Sequence, residues 1–377
     1  MRGPILALGQ YEVGDLIATG GMAAVYRART AGPMGFEKPV AVKVLLDEAA
    51  EDPEIVRMFI DEARLGARLN HQNIASVLDF GEADGRYYLA MEYVDGTSLA
   101  GLLKAMRQGR RAKSLDVRAI VYVTQCVLRA LAYAHSLRDE KGKSLAIVHR
   151  DVSPHNILLD RSGAVKLCDF GIATGAYRVE RTEVGLIKGK VAFMSPEQAL
   201  GERLDARSDL YSLGLTVVAM LGGLDQSDDS EEAKARAAKG FDLARVQGLD
   251  APEPLREVLK KALARSPSDR FQSADEFLQA ITDAGLDPGE AGRLALVEAM
   301  RAVPAPRARK GTRAKESAPP VREAPAGVDR GYRNLLFVVA GILLLALLFA
   351  LFGLRLPPVG ESNRAADLPD IPASEAR

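Results

Sequence analysis

The apolar pattern of this chain changes from strand-like to helical near residue 98, and that change constrains the fold more than any other feature. Up to Glu92 the apolar residues fall in alternating or β-branched runs: YEVGDLIA (11–18), AAVYRAR (23–29), KPVAVKVLL (38–46), IASVLDFG (74–81) and RYYLAMEYV (86–94). Such runs read as strands. One helix interrupts them at 53–69, with Ile55, Phe59, Ala63, Leu65 and Leu69 on one side. From Ser98 onward helical spacing dominates, at 116–137, 208–221, 253–264 and 273–283, with a short β-like insert at 157–168. Ser273 with Glu276 three residues later has the form of a capping box. The expectation is an α+β chain with a sheet-rich lobe followed by a helix-rich lobe.

Apolar residues at 47% and charged residues at 27% of the 377 are ordinary for a folded chain. Lys plus Arg equals Asp plus Glu at 50 each, which gives no general pull toward nucleic acid. Two cysteines, Cys126 and Cys168, exclude a disulfide scaffold, and both read as buried structural thiols. Residues 1–10 lack the apolar core and cleavage site of a secretory signal. Past residue 300 the composition changes again. Residues 301–333 hold nine Lys/Arg, three Asp/Glu and five Pro, the composition of a solvated linker. Residues 335–354 then run twenty positions without a charge between Arg333 and Arg355. As a helix that run is about 30 Å long, the thickness of a bilayer core, so a transmembrane helix is expected.

Chemistry-bearing residues stand in a fixed order. Lys43 lies in VAVK on a strand, and Glu62 follows nineteen residues later on the predicted helix. HRDVSPHN (149–156) follows a long helix, CDFG (168–171) follows a short strand, SPE stands at 195–197, and Asp209 and Arg270 come further on. Over residues 11–283 this series resembles the eukaryotic-like bacterial serine/threonine protein kinases. The resemblance implies a bilobal protein-kinase fold using ATP with Mg²⁺ or Mn²⁺ on protein hydroxyls. It implies that Lys43 contacts the α/β-phosphates, held by Glu62, and that Asp151 accepts or orients the proton of the acceptor hydroxyl. Asn156 and Asp169 would bind the metal, since hard cations take oxygen ligands. Ile17, Ala18, Gly20, Gly21, Val25 and Ala41 would line the nucleotide, with Met91 behind the adenine and Glu92 to Val94 as the hinge. His149 is expected to be structural, Glu197 and Arg270 to form a buried brace, and Arg150 to receive a phosphorylated Thr182.

Two departures stand out. The family's glycine-rich loop, G-x-G-x-x-G, reads A-T-G-G-M-A at 18–23, which puts Cβ atoms at Ala18 and Ala23 where backbone approaches phosphate. A pseudokinase or nucleotide-binding scaffold is therefore a second reading, opposed by the intact Lys43, Asp151, Asn156 and Asp169. The family also has Lys two residues after the catalytic Asp and a Gly-Thr in the activation segment. Here those positions are Ser153 and Gly189-Lys190, and an exchange of roles between Ser153 and Lys190 is the expectation.

The resulting partition is a kinase domain at 11–283, a possible extra helix at 284–300, a linker at 301–333, the membrane span at 335–354 and a short outer tail at 355–377. Twenty residues before the span carry four Lys/Arg and twenty after it carry two, which places the kinase domain in the cytoplasm at an inner membrane. Ala346, Ala350 and Gly353 form a small-residue stripe that permits a homodimer.

Overall fold

Strand alternation up to Glu92 becomes a single antiparallel sheet in the computed structural model, which describes residues 7–108, 114–170, 191–224 and 231–303. Its strands are β1 (Ala7–Leu8), β2 (Tyr11–Thr19), β3 (Ala23–Ala31), β4 (Glu37–Leu45), β5 (Val77–Ala83) and β6 (Arg86–Glu92). They lie in the order β1-β2-β3-β4-β6-β5, so β4 is interior. Successive side chains of β4 alternate faces, and both faces are buried. Val40, Val42 and Val44 join Leu8, Tyr11, Ala28, Tyr88 and Ala90 on one side. Leu45 joins Ala23, Phe59, Ala63 and Leu89 on the other, against the helix that follows.

That helix, α2 (Pro53–Gly66), comes after a single turn, α1 (Asp47–Ala50). Asp52 caps α2 by accepting the Glu54 amide at 2.9 Å, and Pro53 occupies the first helical position, where it costs no hydrogen bond. The helix stops at Gly66, three residues short of the sequence expectation. Leu69 continues the apolar stripe in sequence but lies beyond the helix and joins the core of the second lobe. The run at 74–81 is likewise shorter than expected, because Ile74 bridges to Leu167 and pairing in the sheet begins only at Val77.

The second lobe is built on α3 (Leu99–Gln108) and α4 (Val117–Ser136), with a small sheet of β7 (Gly96–Ser98), β8 (Ile157–Asp160) and β9 (Val165–Leu167). Beyond it come α5 (Pro196–Ala199), α6 (Ala206–Met220), α7 (Glu231–Lys239), α8 (Ala244–Gln247), α9 (Glu253–Ala262), α10 (Ala274–Asp283) and α11 (Gly289–Met300). Among the described residues α4 alone is long and apolar enough to cross a membrane, yet 67% of its most apolar 18-residue stretch is buried within the lobe. It is the core helix, touching α6, α10, α11 and β9. α6 is buried from Ser208 to Met220, as a helix enclosed on all sides must be.

The folded unit extends past 283. α11 packs across α4 with Leu296 and Met300 in the core, and a Cβ on Gly292 would sit 2.7 Å from the Tyr122 Cβ, so the close crossing requires glycine. Ser273 does cap α10, accepting the Glu276 amide at 3.0 Å. The reciprocal half of the expected box is displaced by one residue, since the Glu276 carboxylate accepts from the Gln272 amide instead. Cys126 is buried as expected, but Cys168 is only half-buried. The linker and the apolar run at 335–354 lie outside the described residues.

Candidate active site

Strand parity places Lys43 on the same face of β4 as Leu45, the face that α2 covers. On α2, Glu62 is buried beside Phe59 and Ala63, on the same stripe of the helix. The Lys43 ammonium therefore meets the Glu62 carboxylate, at 2.5 Å, and both side chains are over nine-tenths buried. It also donates to Asp169 Oδ1 at 3.2 Å. Burial alone would depress the lysine, but the Asp169 and Glu62 carboxylates outweigh it and hold the ammonium above its ordinary range. Lys43 is thus charged and fixed between the lobes. Asp169 follows β9 in a left-handed conformation (φ 57°), which a non-glycine residue adopts only where its surroundings impose it.

The loop at 149–156 is held from beneath. Asp209, in the first turn of α6 and 1% exposed, accepts the His149 amide and the Arg150 amide, each at 2.8 Å. His149 is fully buried against the Phe170 ring at 4.5 Å. Burial lowers its pKa, so it is neutral at neutral pH. Its Nε2 lies 3.0 Å from the Cys168 carbonyl, which can only accept, so Nε2 carries the proton. Nδ1 then accepts the Asp151 amide at 3.2 Å. His149 is a structural post, as expected. Asn156 donates its amide nitrogen to the Asp151 carbonyl at 2.9 Å, which leaves its oxygen as the end suited to a hard cation. With the Asp169 carboxylate this donor set fits a Mg²⁺ ion that takes its remaining ligands from water and phosphate.

In the sheet lobe, Gly20 closes the β2–β3 turn by donating to the Ala23 carbonyl at 2.8 Å. Ile17, Ala18 and Gly21 are exposed at that turn, Ala18 pairs with Val25, and Val25 pairs with Lys43. Ala41 pairs with Met91 across β4 and β6, so the predicted adenine-lining residues share one region of the sheet. Glu92 ends β6, and the chain reaches β7 through Val94. Gly96 is required there, because a Cβ would lie 1.8 Å from the Leu159 carbonyl oxygen. Ser153 is buried, 1% exposed, and its hydroxyl has no hydrogen-bond partner among the described residues. Lys190 and Thr182 lie outside the described residues.

Asp209 belongs to the ordered series read from the sequence, though its position there does not reveal the amides that it holds. Two further polar contacts of the site have no sequence signal. Lys166 on β9 pairs with the Glu92 carboxylate at 2.7 Å, tying the predicted hinge to the strand before Asp169. Gln198 on α5 donates to the Arg150 carbonyl at 2.7 Å. The buried brace is present as expected: Arg270 makes a two-pronged pair with Glu197, at 2.7 and 2.8 Å.

Residues 11–281 match the family described as protein kinase domain. Tyrosine-protein kinase MasK of Myxococcus xanthus is 37% identical over 276 residues, covering 72% of this chain and 42% of MasK. Serine/threonine-protein kinase PknA of Mycobacterium tuberculosis is 34% identical over 337 residues, covering 86% of this chain and 67% of PknA. Serine/threonine-protein kinase PrkC of Bacillus subtilis is 34% identical over 273 residues, covering 71% of this chain and 39% of PrkC. The matched part thus spans about two-fifths of the length of MasK and of PrkC. The crystal structure of the Mycobacterium tuberculosis PknI kinase domain superimposes with a TM-score of 0.53 at 30% identity, covering 75% of this chain and all of that one.

Proposed function

This chain belongs to the protein kinase family, and on that premise we propose that it transfers the γ-phosphate of ATP to serine or threonine hydroxyls of proteins, itself included, as a membrane-anchored signalling enzyme. The observation that carries the reading is Lys43, held charged between Glu62 at 2.5 Å and Asp169 at 3.2 Å. A scaffold has no need of that buried, doubly countered cation, whereas phosphoryl transfer needs fixed positive charge beside the nucleotide. When bound, Mg²⁺ would supply charge neutralisation of the phosphates. Asn156 and Asp169 would hold it, Lys43 would position the phosphates, and Asp151 would orient the acceptor hydroxyl and take up its proton.

The test is to incubate residues 1–307 with Mg²⁺ and labelled ATP and then to identify the phosphorylated amino acid. Phosphoserine or phosphothreonine supports the reading, and no label under any condition supports the scaffold. A second acceptor class has two observations in its favour: Ser153 stands where serine/threonine kinases carry Lys, and the similar MasK is named a tyrosine kinase. Phosphotyrosine as the main product would establish it.

The buried hydroxyl of Ser153 also supports the proposed exchange, in which the Lys190 ammonium serves the transferring phosphate. Lys190→Met is then expected to lower kcat by roughly ten- to a thousandfold, the scale of one transition-state electrostatic contact. A kcat within about twofold of wild type sinks the exchange.

For the anchor, the full chain is expected to partition with membranes and a chain ending at Gly331 to remain in the supernatant, because 335–354 is long enough to insert. Protease applied outside intact cells should leave the kinase domain whole. Its digestion from outside would reverse the proposed topology.

A further inference from the structure

Gln198 uses both ends of its side-chain amide, and the two ends do different work. Its Oε1 accepts the Ser195 amide at 3.1 Å, completing the capping box of α5. Its Nε2 donates to the Arg150 carbonyl at 2.7 Å, forty-eight residues away in sequence. The orientation is unambiguous, because a backbone amide can only donate and a carbonyl can only accept.

The second contact falls on the peptide that carries the proposed catalytic carboxylate. Arg150 sits in the left-handed region, at φ 65°, a conformation costly for a side-chain-bearing residue and stable only where neighbours over-determine it. Its amide is held by Asp209 at 2.8 Å and its carbonyl by Gln198. The next amide, that of Asp151, is held by His149 Nδ1 at 3.2 Å. The plane of the Arg150–Asp151 peptide is therefore pinned at both edges, its oxygen by α5 and its N–H by the loop itself. Releasing the oxygen frees that plane to rotate, and the Asp151 side chain rotates with it.

We infer that Gln198 is a positioning residue for phosphoryl transfer, holding the Arg150–Asp151 peptide so that the Asp151 carboxylate faces the acceptor hydroxyl. The inference rests on the kinase reading above.

Two substitutions in the full-length protein separate the two ends of the amide. Gln198→Glu keeps an acceptor for Ser195 and sets an oxygen against the Arg150 oxygen. Gln198→Lys keeps a donor that can reach the Arg150 carbonyl and loses the acceptor for Ser195. The readouts are kcat, KM for ATP, and hydrogen exchange of a peptide spanning 148–156. For Gln198→Glu we expect kcat to fall about ten- to a hundredfold, the scale of small misplacement of a reacting group. KM for ATP should stay within about twofold, and exchange at 148–156 should quicken. Gln198→Lys should retain at least about tenfold more kcat than Gln198→Glu, with slower exchange. A role confined to capping α5 gives the opposite order. The inference is overturned if Gln198→Glu is no slower than Gln198→Lys, or if it leaves exchange at 148–156 unchanged. A wild-type protein without phosphoryl transfer sinks the kinase reading, and exchange alone then decides whether Gln198 tethers the loop.

Discussion

Asp151→Asn should lower phosphoryl transfer by about a hundred- to ten-thousandfold, the range for loss of a positioned acid–base group, while ATP affinity stays unchanged. Asparagine matches the shape of aspartate, and two backbone contacts that hold the residue are untouched by the change: its amide to His149 and its carbonyl to Asn156. What is lost is the negative oxygen to which the proposed mechanism assigns the hydroxyl proton. Single-turnover assays beside nucleotide titration separate the two quantities. A variant within about threefold of wild type in kcat would remove Asp151 from the chemistry. A parallel loss of ATP binding would show instead that the substitution disturbed the Lys43–Asp169 pair.

Arg270→Met should destabilise the fold by about 3–5 kcal/mol, the usual cost of removing one partner from a buried ion pair. The Arg270 side chain is fully buried and Glu197 is 6% exposed, so water cannot replace the lost partner. The guanidinium also donates to the Ala264 and Arg265 carbonyls, at 2.8 and 2.7 Å, and lies 4.5 Å from the Tyr211 ring. Burial would raise the Glu197 carboxyl, but the Arg270 and Ser208 hydrogen bonds prevail and hold it below its ordinary value. Its stabilisation is accordingly complete at neutral pH and fades as the pH falls through and below the ordinary carboxylate range. Urea titration of residues 1–307 gives the free energy. A loss under about 1 kcal/mol would contradict the burial argument. The double variant Glu197→Leu with Arg270→Met should recover part of the loss, because it leaves no unpaired charge inside.

Local periodicity carried most of the fold. β4 was legible because its alternation continues through Lys43, and a lysine inside an apolar strand run announces a buried partner. α2 was legible at its start, where Asp52 and Pro53 mark a helix N-terminus, and illegible at its end. Leu69 keeps the spacing of the stripe while serving the other lobe, and periodicity does not record which core receives a side chain. α11 has apolar residues but only three fully buried positions, Gly292, Leu296 and Met300, so its seat against α4 is a tertiary fact. The site divided in the same way. Residues set in short motifs, such as Asp151, Asn156 and Asp169, were named from sequence and lie in one region. Lys166 and Gln198, outside those motifs, act on groups 74 and 48 residues distant, and no spacing rule reaches that far.

The burial of α4 bears on how the chain is made. Val117–Ser136 has the length and apolarity of a segment that a membrane would accept, and α10 and α11 belong to its cover. Met300, the last residue of that cover, is synthesised 164 positions after Ser136 (300 less 136). At about 5–20 residues per second the interval is roughly 8–33 seconds. During it, a span-length apolar segment is on offer to chaperones and insertion machinery before its own lobe can enclose it. The lobe can complete the cover of α4 only once the chain has been made as far as Met300.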